Sequence, residues 1–244
     1  MRNIRLDLCY DGTRYRGWQR LPGTEDTIQG KLEQALSRIL DEQIQVCGSG
    51  RTDAGAHALG QVANFHCQSQ MPADQILEAL RRYLPEDVGI YSCKECAQRF
   101  HARLNAAAKT YRYRIWNSQD PCVFQRRYVT VMPEALDLSA MEQAAAHLIG
   151  EHDFSAFCAA KSKKKSTLRR LDQIQICRQG PELWLDFTGN GFLYNMARIL
   201  AGTLVEVGLG RREADTIPAL FGAPRSAAGP LLPARGLCLM EVRY

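Results

Sequence analysis

The sequence has no long apolar segment, because polar or charged residues interrupt every hydrophobic run well before the length of a membrane helix. The residues after Met1 lead directly into an alternating strand and not into an apolar signal core, so we expect a cytoplasmic protein. The nine cysteines are odd in number and lack the spacing of a disulfide framework. This favours buried thiols in a reducing compartment, at strand positions such as Cys9, Cys47 and Cys177.

Motifs for metals and cofactors are also missing. Cys93 and Cys96 form the one close cysteine pair, and with only His101 nearby they lack the second half of a zinc site. There is no Walker loop, no dinucleotide fingerprint and no zinc-deaminase signature of His-x-Glu with Pro-Cys-x-x-Cys. We therefore expect no metal, no cofactor and no membrane partner.

Lysine is scarce among the basic residues: 24 of the 31 are Arg and 7 are Lys, with a net charge of +5. The planar guanidinium of arginine suits phosphates and stacking on bases, which favours a nucleic-acid partner. A GC-rich genome would give the same bias. Four of the lysines lie in the run Lys161 to Lys165, which is either a solvated loop or a source of steering charge beside an RNA-binding cleft.

The first half, residues 1–104, has the pattern of a split βαβ or ferredoxin-like unit. Its order is strand, helix, strand, strand, helix, strand, read from hydrophobic periods and from the helix signals Thr27, Pro72 and Pro85. The predicted elements are a strand from Ile4 to Tyr10, a helix from Thr27 to about Glu42, strands from Ile44 to Cys47 and from Gln61 to Cys67, a helix after Pro72, and a strand from Val88 to Ser92.

The second half, residues 105–244, repeats that order without repeating the sequence. No Pro-, Gly- or Ser-rich tether separates the halves, so we expect them to pack rigidly. The predicted elements are a strand from Lys109 to Trp116, a helix from Leu138 to Ile149, a hairpin of Leu171 to Cys177 and Glu182 to Thr188, a helix from Met196, a short helix from Arg211 to Phe221, and a closing strand from Gly236 to Tyr244.

The stretch from Gly48 to His57, between two predicted strands, carries the strongest chemical signal. Three glycines within eight residues let the backbone adopt positive φ angles and approach a ligand. Arg51 and Asp53 place a cation beside a carboxylate, which can then stay ionised and act as nucleophile or base. The simpler alternative is an Asx-type turn closed by a salt bridge.

The string Gly50-Arg51-Thr52-Asp53-Ala54-Gly55-x-His57-Ala58, followed by Gly60-Gln61-Val62, closely resembles the active-site signature of the tRNA pseudouridine synthase A family. The resemblance covers essentially the whole chain. It implies an α+β pseudouridine synthase fold of two ferredoxin-like halves that share a mostly antiparallel sheet flanked by helices. The active-site cleft would lie between the halves, and Asp53 would be the catalytic residue. Arg51 and His57 are expected substrate or loop-shaping contacts.

A second stretch, from Asp11 to Arg20, mixes arginines, aromatics and glycines, as single-stranded or looped RNA contacts do. The alternative is a surface turn whose rings tuck into the core. Tyr10 to Gln19 matches the family string Tyr-x-Gly-(Ser/Thr)-x-(aromatic)-x-Gly-Trp-Gln. The resemblance marks four residues of this RNA-binding loop: Arg14, Arg16, Trp18 and Gln19.

Three further matches assign residues. The family's Phe-x-Ala-Arg string makes Arg103 a candidate substrate contact, and its Lys-x-Tyr-Arg-Tyr pattern assigns Tyr111 to stacking on the extruded uracil. Arg198 is the sole charged residue between Asp186 and Glu206, so it needs a partner. The family pairs this arginine with the catalytic aspartate, whereas an ion pair with Asp186 or Glu206 is the local alternative. Ala197 stands where valine is usual in the family.

The resemblance implies isomerisation of uridine to pseudouridine in the anticodon arm of tRNA, at positions 38, 39 and 40, by a homodimer. Three roles for Asp53 are compatible with that reaction: attack on C1′, attack on C6, or removal of a sugar proton. The alternatives are a synthase acting on another tRNA position and a non-catalytic RNA-binding protein. Thr52-Asp53-Ala54-Gly55 also partly resembles an aspartic protease motif, but such enzymes need a second carboxylate motif, which the sequence lacks.

Overall fold

The computed structural model describes residues 1–159 and 166–244, so the predicted Lys161 to Lys165 run lies outside the described residues. The chain forms two compact units. The first contains residues 1–107 together with Leu239–Tyr244, and the second contains Ala108–Cys238. None of the helices in the described ranges is long and apolar enough to cross a membrane.

The first unit has the predicted order of strand, helix, strand, strand, helix, strand. Its strands run in the order β4-β1-β3, with β2 also paired to β3, and all of these pairs are antiparallel. This is the strand order of a split βαβ unit. The elements are β1 (Arg2–Tyr10), α1 (Ile28–Leu40), β2 (Val46–Gly48), β3 (His57–Cys67), α2 (Ala73–Tyr83) and β4 (Val88–Glu95).

Side-chain periodicity explains why these residues form these elements. In β1 the alternating residues Ile4, Leu6 and Leu8 are fully buried, as a strand with one face on the core requires. The Thr27 hydroxyl accepts the Gly30 N–H at 3.2 Å, which confirms the predicted cap of α1. The helix ends at Asp41, which has a left-handed φ of 53°.

The second unit has the strand order β5-β9-β8-β7, with antiparallel pairs throughout this path, while β6 pairs in parallel with β5. Together with the first unit, this mixed, mostly antiparallel architecture confirms the predicted α+β fold class. The elements are β5 (Ala108–Trp116), β6 (Thr130–Val131), α3 (Leu138–Leu148), β7 (Gly150–Asp153), β8 (Leu168–Gln179), β9 (Glu182–Gly189) and α4 (Met196–Gly208). The last strand, β10 (Leu237–Arg243), starts in this unit, and its residues from Leu239 onward belong to the first unit.

The two faces of β5 divide as its alternation predicts. Tyr111, Tyr113 and Ile115 are buried. On the opposite face Arg112 forms a bidentate pair with Asp186, both bonds being 2.7 Å. This cross-strand pair helps to fix the register of β5 against β9, because the guanidinium reaches the carboxylate directly opposite on the neighbouring strand.

The predicted short helix from Arg211 to Phe221 is present in shorter form as the 3-10 helix Ala214–Leu220, where Pro218 has no N–H for an α-helical bond. The predicted burial of three cysteines was wrong. Cys47 and Cys177 are exposed and not buried, and Cys9 is half-buried. In β8 the neighbouring Ile176 is the more buried residue, so the alternation of the strand turns Cys177 outward.

The final strand returns the chain to the first unit, since Leu239–Tyr244 belong with residues 1–107. The Tyr244 hydroxyl donates a hydrogen bond of 2.7 Å to the Ala102 carbonyl. The Arg5 guanidinium lies 4.8 Å from the centre of the Tyr244 ring. These contacts hold the chain end beside the Phe100 to Arg103 segment.

Candidate active site

Asp53 lies in the loop between β2 and β3, as predicted, and is half-buried, whereas Arg51 is exposed. The Ala56 N–H donates to the Asp53 carbonyl at 3.1 Å and closes a tight turn around the carboxylate residue. Gly55 has a φ of 79°, a backbone angle that a glycine adopts without strain. Gly55 is the one of the three loop glycines with a positive φ, so the backbone angle does not explain the glycines at positions 48 and 50.

A buried hydrogen-bond network holds the residues that precede Asp53. The Tyr10 hydroxyl lies 2.8 Å from Thr52 Oγ1. The Gln61 amide donates to the Gly50 carbonyl at 3.1 Å and to the Tyr10 hydroxyl at 3.3 Å. Its carbonyl oxygen accepts the Ser49 hydroxyl at 2.7 Å. Buried networks of this kind fix one backbone conformation, since each unmade bond would leave an unsatisfied polar group.

The predicted RNA-binding loop packs against the Asp53 loop. The Trp18 N–H donates to the Thr52 carbonyl at 3.1 Å, and the Gly55 N–H donates to the Tyr15 carbonyl at 3.2 Å. A Cβ on Gly12 would come within 1.8 Å of the Ala56 carbonyl oxygen, so only glycine fits there. The two loops therefore form one interlocked assembly around Asp53.

Trp18 lies inside this assembly, with 2% of its surface exposed. A Cβ on Gly48 would come within 2.4 Å of the indole ring, which explains a glycine at the end of β2. The Trp18 carbonyl also accepts the Gln29 N–H of α1 at 2.9 Å. Trp18 thus supports the loops from within, which is the alternative that the sequence left open for its aromatic residues.

His57 is also buried, with 6% of its surface exposed. Its Nδ1 accepts the Gly12 N–H at 3.1 Å and lies at the same distance from Asp11 Oδ1. A neutral ring accepts the Gly12 hydrogen bond, whereas a protonated ring would pair with the Asp11 carboxylate. Both contacts join the two loops, which supports the loop-shaping role expected for His57.

In the predicted RNA-binding loop, some polar side chains have a protein partner and others face solvent. Arg14 binds Asp87 through Nη2 at 2.6 Å, and this hydrogen bond raises the pKa of Arg14. Tyr15 donates to the other Asp87 oxygen at 2.6 Å, and burial together with that bond raises the pKa of Tyr15. Arg16 is exposed, while Gln19 is half-buried. Arg14 and Arg16 are therefore open to a phosphate, and Asp87 holds the first of them in place.

Arg103 is exposed at the end of the first unit. Its N–H donates to His101 Nδ1 at 3.1 Å, and the adjacent Leu104 has 76% of its surface exposed. The neighbouring Ala102 is buried, and its N–H donates to Asn64 Oδ1 at 2.9 Å. This bond fixes the backbone from which the Arg103 side chain extends.

In the second unit, Tyr111 is placed by β5 and has 6% of its surface exposed. Its ring makes an edge-on contact with Phe192, with ring centres 4.8 Å apart. Phe187 on β9 is its cross-strand neighbour. Aromatic neighbours of this kind fix the plane of the Tyr111 ring.

Arg198 lies in the first turn of α4 and is half-buried. It donates from Nε to the Leu232 carbonyl at 2.7 Å and from Nη1 to Asn195 Oδ1 at 3.0 Å. Asn195 has a left-handed φ of 63°, which turns the chain into the helix. Two protein oxygens therefore fix the orientation of this guanidinium.

The local alternatives for the partner of Arg198 are otherwise engaged. Asp186 is paired with Arg112 at 2.7 Å, and Glu206 is paired with Arg212 at 3.0 Å. Both carboxylates that the sequence offers as local alternatives therefore have another arginine as an ion-pair partner.

Sequence reasoning assigned no role to several residues that shape these sites, among them Gln61, Phe192 and Asn195. Gln61 interrupts the apolar residues of β3, a signal that a buried polar side chain needs partners. Asn195 precedes a helix, but its side chain bonds Arg198 and does not cap the helix.

In residues 1–159 and 166–244, no cluster of three or more His, Cys, Asp or Glu side chains could hold a metal ion.

The chain is similar to known proteins along its whole length. The sequence matches the family described as tRNA pseudouridine synthase over residues 9–105 and 144–244. It is 42% identical over 245 residues to tRNA pseudouridine synthase A 2 of Bacillus cereus, and 44% identical over 245 residues to tRNA pseudouridine synthase A of Brevibacillus brevis. In both comparisons the match covers 100% of each chain.

The chain also aligns with a solved structure, a Cbf5-Nop10-Gar1 complex, with a TM-score of 0.36 and 12% identity over 83% of this chain and 45% of that chain. The full-length sequence matches define a class of RNA-modifying isomerase. The chain belongs to the tRNA pseudouridine synthase family.

Proposed function

We propose that this chain converts uridine to pseudouridine in the anticodon stem-loop of tRNA, at positions 38, 39 and 40, with Asp53 as the catalytic residue. The observation that carries the proposal is the interlocked pair of loops around Asp53, within a sequence that matches tRNA pseudouridine synthases along its whole length. Relatives named tRNA pseudouridine synthase A support tRNA as the substrate.

The reaction breaks the N1 to C1′ bond, turns the uracil, and forms a C5 to C1′ bond. The proton on C5 is lost and N1 gains one, so the reaction is redox-neutral. An ionised carboxylate is needed beside the sugar, whether it attacks C1′, attacks C6 or removes a sugar proton. Asp53 has the restrained backbone that such a role requires, because the network behind it fixes Gly50 and Thr52.

Arg198 is proposed to pair with Asp53 and to keep it charged. Two observations within the second unit support this role: Arg198 is already oriented by Leu232 and Asn195, and the nearby carboxylates Asp186 and Glu206 have arginine partners of their own. A guanidinium held in this way is prepared to receive a carboxylate at a fixed angle.

Tyr111 is proposed to stack on the extruded uracil, and Arg51, Arg103, Arg14 and Arg16 to contact the RNA. All four arginines are exposed, so their guanidinium groups are accessible to phosphate. We propose that the enzyme works as a cytoplasmic homodimer without a cofactor, as the family resemblance implies.

The deciding experiment maps pseudouridine in an unmodified tRNA transcript that carries uridines at positions 38, 39 and 40 after incubation with the purified protein. We expect new pseudouridine at those positions and none with Asp53→Asn. Modification at another position would place the enzyme on a different tRNA site. Binding without any modification would identify an RNA-binding protein and overturn the proposal.

A further inference from the structure

The most exposed aromatic ring of the second unit lies at the tip of the segment between β5 and β6. Phe124 has 87% of its surface exposed, more than any other large hydrophobic residue in the described ranges, and its neighbour Val123 has 54% exposed. Single exposed apolar residues are common on protein surfaces and need no explanation. Two adjacent ones in a loop become informative when hydrogen bonds hold the loop and exposed cations follow them in the chain.

Hydrogen bonds anchor the base and the tip of this segment. At the base, the Trp116 indole donates to the Asp120 carbonyl at 2.9 Å, and the Asn117 amide donates to the carbonyls of Met132 and Glu134 at 2.9 and 2.7 Å. At the tip, Arg126 Nη1 donates to the Val123 carbonyl at 2.5 Å. The fold therefore presents Phe124 in a defined position, and less entropy is lost when a partner binds it.

The exposed charges that follow Phe124 in the segment are positive, while Asp120 at its base is the one acidic residue between β5 and β6. Arg126 and Arg127 follow the tip directly and are exposed. We name the surface made by Val123, Phe124, Arg126 and Arg127 the Phe124 patch.

We propose that the Phe124 patch binds the tRNA, with the Phe124 ring stacked on an unpaired base or at the end of a base-paired stem and the arginines on adjacent phosphates. The combination of a flat apolar ring with surrounding guanidinium groups suits looped RNA, which offers both exposed base faces and dense negative charge. The proposal rests on tRNA as the substrate in the proposed function.

Charge also argues against the main alternative occupant. If a second copy of this chain covered the patch through a two-fold contact, the same surface would meet itself and bring like charges together. A nucleic acid instead supplies the opposite charge along its backbone. The arginine-rich surroundings therefore favour RNA over a contact between two copies.

The test measures the dissociation constant for unmodified tRNA by filter binding over a range of salt concentrations. We expect Phe124→Ala to weaken binding about tenfold and Phe124→Trp to bind like the wild type, since base stacking on an aromatic side chain is sequence-tolerant. Arg126→Gln should lower the salt dependence of the affinity by about one counterion. Tyr83→Ala is the matched control, because it removes an aromatic residue with 48% exposure from α2 and should leave affinity unchanged.

Phe124→Ala binding within twofold of the wild type, or an equal loss in Tyr83→Ala, would overturn the proposal. So would a fall in the solution mass of Phe124→Ala without RNA, which would identify the patch as a contact between copies. Failure of the proposed function can be told apart from failure of this proposal. If tRNA affinity depends on Phe124 but the wild type forms no pseudouridine, the proposed function is wrong and the Phe124 patch stands. If the wild type forms pseudouridine but its tRNA affinity does not depend on Phe124, the proposed function stands and the Phe124 patch is wrong.

Discussion

The hydroxyl of Tyr10 lies 2.8 Å from Thr52 Oγ1, in the interior of the first unit and one residue before Asp53. Tyr10 is the last residue of β1, so this bond ties the position of the Asp53 loop to the central strand of its unit. The Gln61 amide, which donates to the same tyrosine, extends the tie to β3. The carboxylate is thus positioned by rigid strands even though it lies on a loop.

Removing this hydrogen bond should affect the catalytic rate more strongly than it affects the free energy of unfolding. Thr52→Val keeps the shape of the side chain but leaves the buried Tyr10 hydroxyl with fewer partners, so we expect a loss of about 1–2 kcal/mol in the free energy of unfolding. We also expect a clear fall in kcat with little change in KM for tRNA. Chemical denaturation and steady-state kinetics measure both. Thr52→Ser retains the hydroxyl and should behave like the wild type; equal kcat in both variants would contradict the positioning role.

Asp53→Asn should abolish turnover while leaving tRNA affinity within about tenfold of the wild type, because phosphate contacts carry most of the affinity. Pseudouridine mapping and filter binding are the measurements. Asp74→Asn makes the same chemical change at an exposed position in the first turn of α2 and should remain fully active. An active Asp53→Asn enzyme would remove Asp53 from the catalytic role.

Arg198→Leu should destabilise the protein or lower its activity, since the change leaves the Leu232 carbonyl and Asn195 Oδ1 without this donor. We expect Arg198→Lys to keep most of the stability but to lose activity, because an ammonium group cannot reproduce the guanidinium fork. Thermal unfolding and pseudouridine formation are measured on each variant. A leucine variant equal to the wild type in both would show that Arg198 and Asp53 are not paired.

Tyr111→Ala should reduce the rate of pseudouridine formation by about a hundredfold, given that stacking on an aromatic ring contributes roughly 1–3 kcal/mol. The ring is buried against Phe192, so the rate must be expressed per folded enzyme. Tyr111→Phe separates two functions of the residue: it keeps the ring but removes the hydroxyl. If the phenylalanine variant reacts near the wild-type rate in single-turnover kinetics, the role of Tyr111 is limited to stacking. If the alanine variant is unaffected, Tyr111 has no stacking role.

Alkaline pH should destabilise the protein through Tyr113. Burial raises the pKa of Tyr113 to about 12 from 10.0, so the folded state holds its phenolic proton where the unfolded chain has lost it. Stability from this group is fully present below about pH 10 and is lost as pH rises towards 12, by about 3 kcal/mol in all. Denaturation of Tyr113→Phe across this range should show a shallower decline. The exposed Tyr83→Phe control should retain the wild-type slope.

Much of the architecture could be predicted from the sequence because it depends on local periodicity. The alternation in β1 and β5, the Thr27 cap and the Pro72 start of α2 each follow from side chains within a few residues of one another. The Asp53 loop was predicted between two strands for the same reason. Its residues form a long string, so the family resemblance could be recognised without a structure.

Other features depend on contacts between residues far apart in the sequence. The sequence shows that Trp18 lies in an arginine-rich loop. Its ring is buried because it packs against Gly48, a contact that the sequence does not show. The outward position of Cys177 follows from which face of β8 meets the core. The short strands β6 and β7 exist because longer neighbours offer them hydrogen bonds.

The sequence by itself determined the fold class, the order of the elements in the first half and, through its family signature, the enzyme family. Only the tertiary structure decided which of the candidate site side chains face solvent, and that Asp186 and Glu206 pair with Arg112 and Arg212. The physical reason is that hydrophobic spacing is a local property of the chain. Partner choice and burial are instead set when strands distant in sequence come into register, because only then do their side chains compete for the same neighbours.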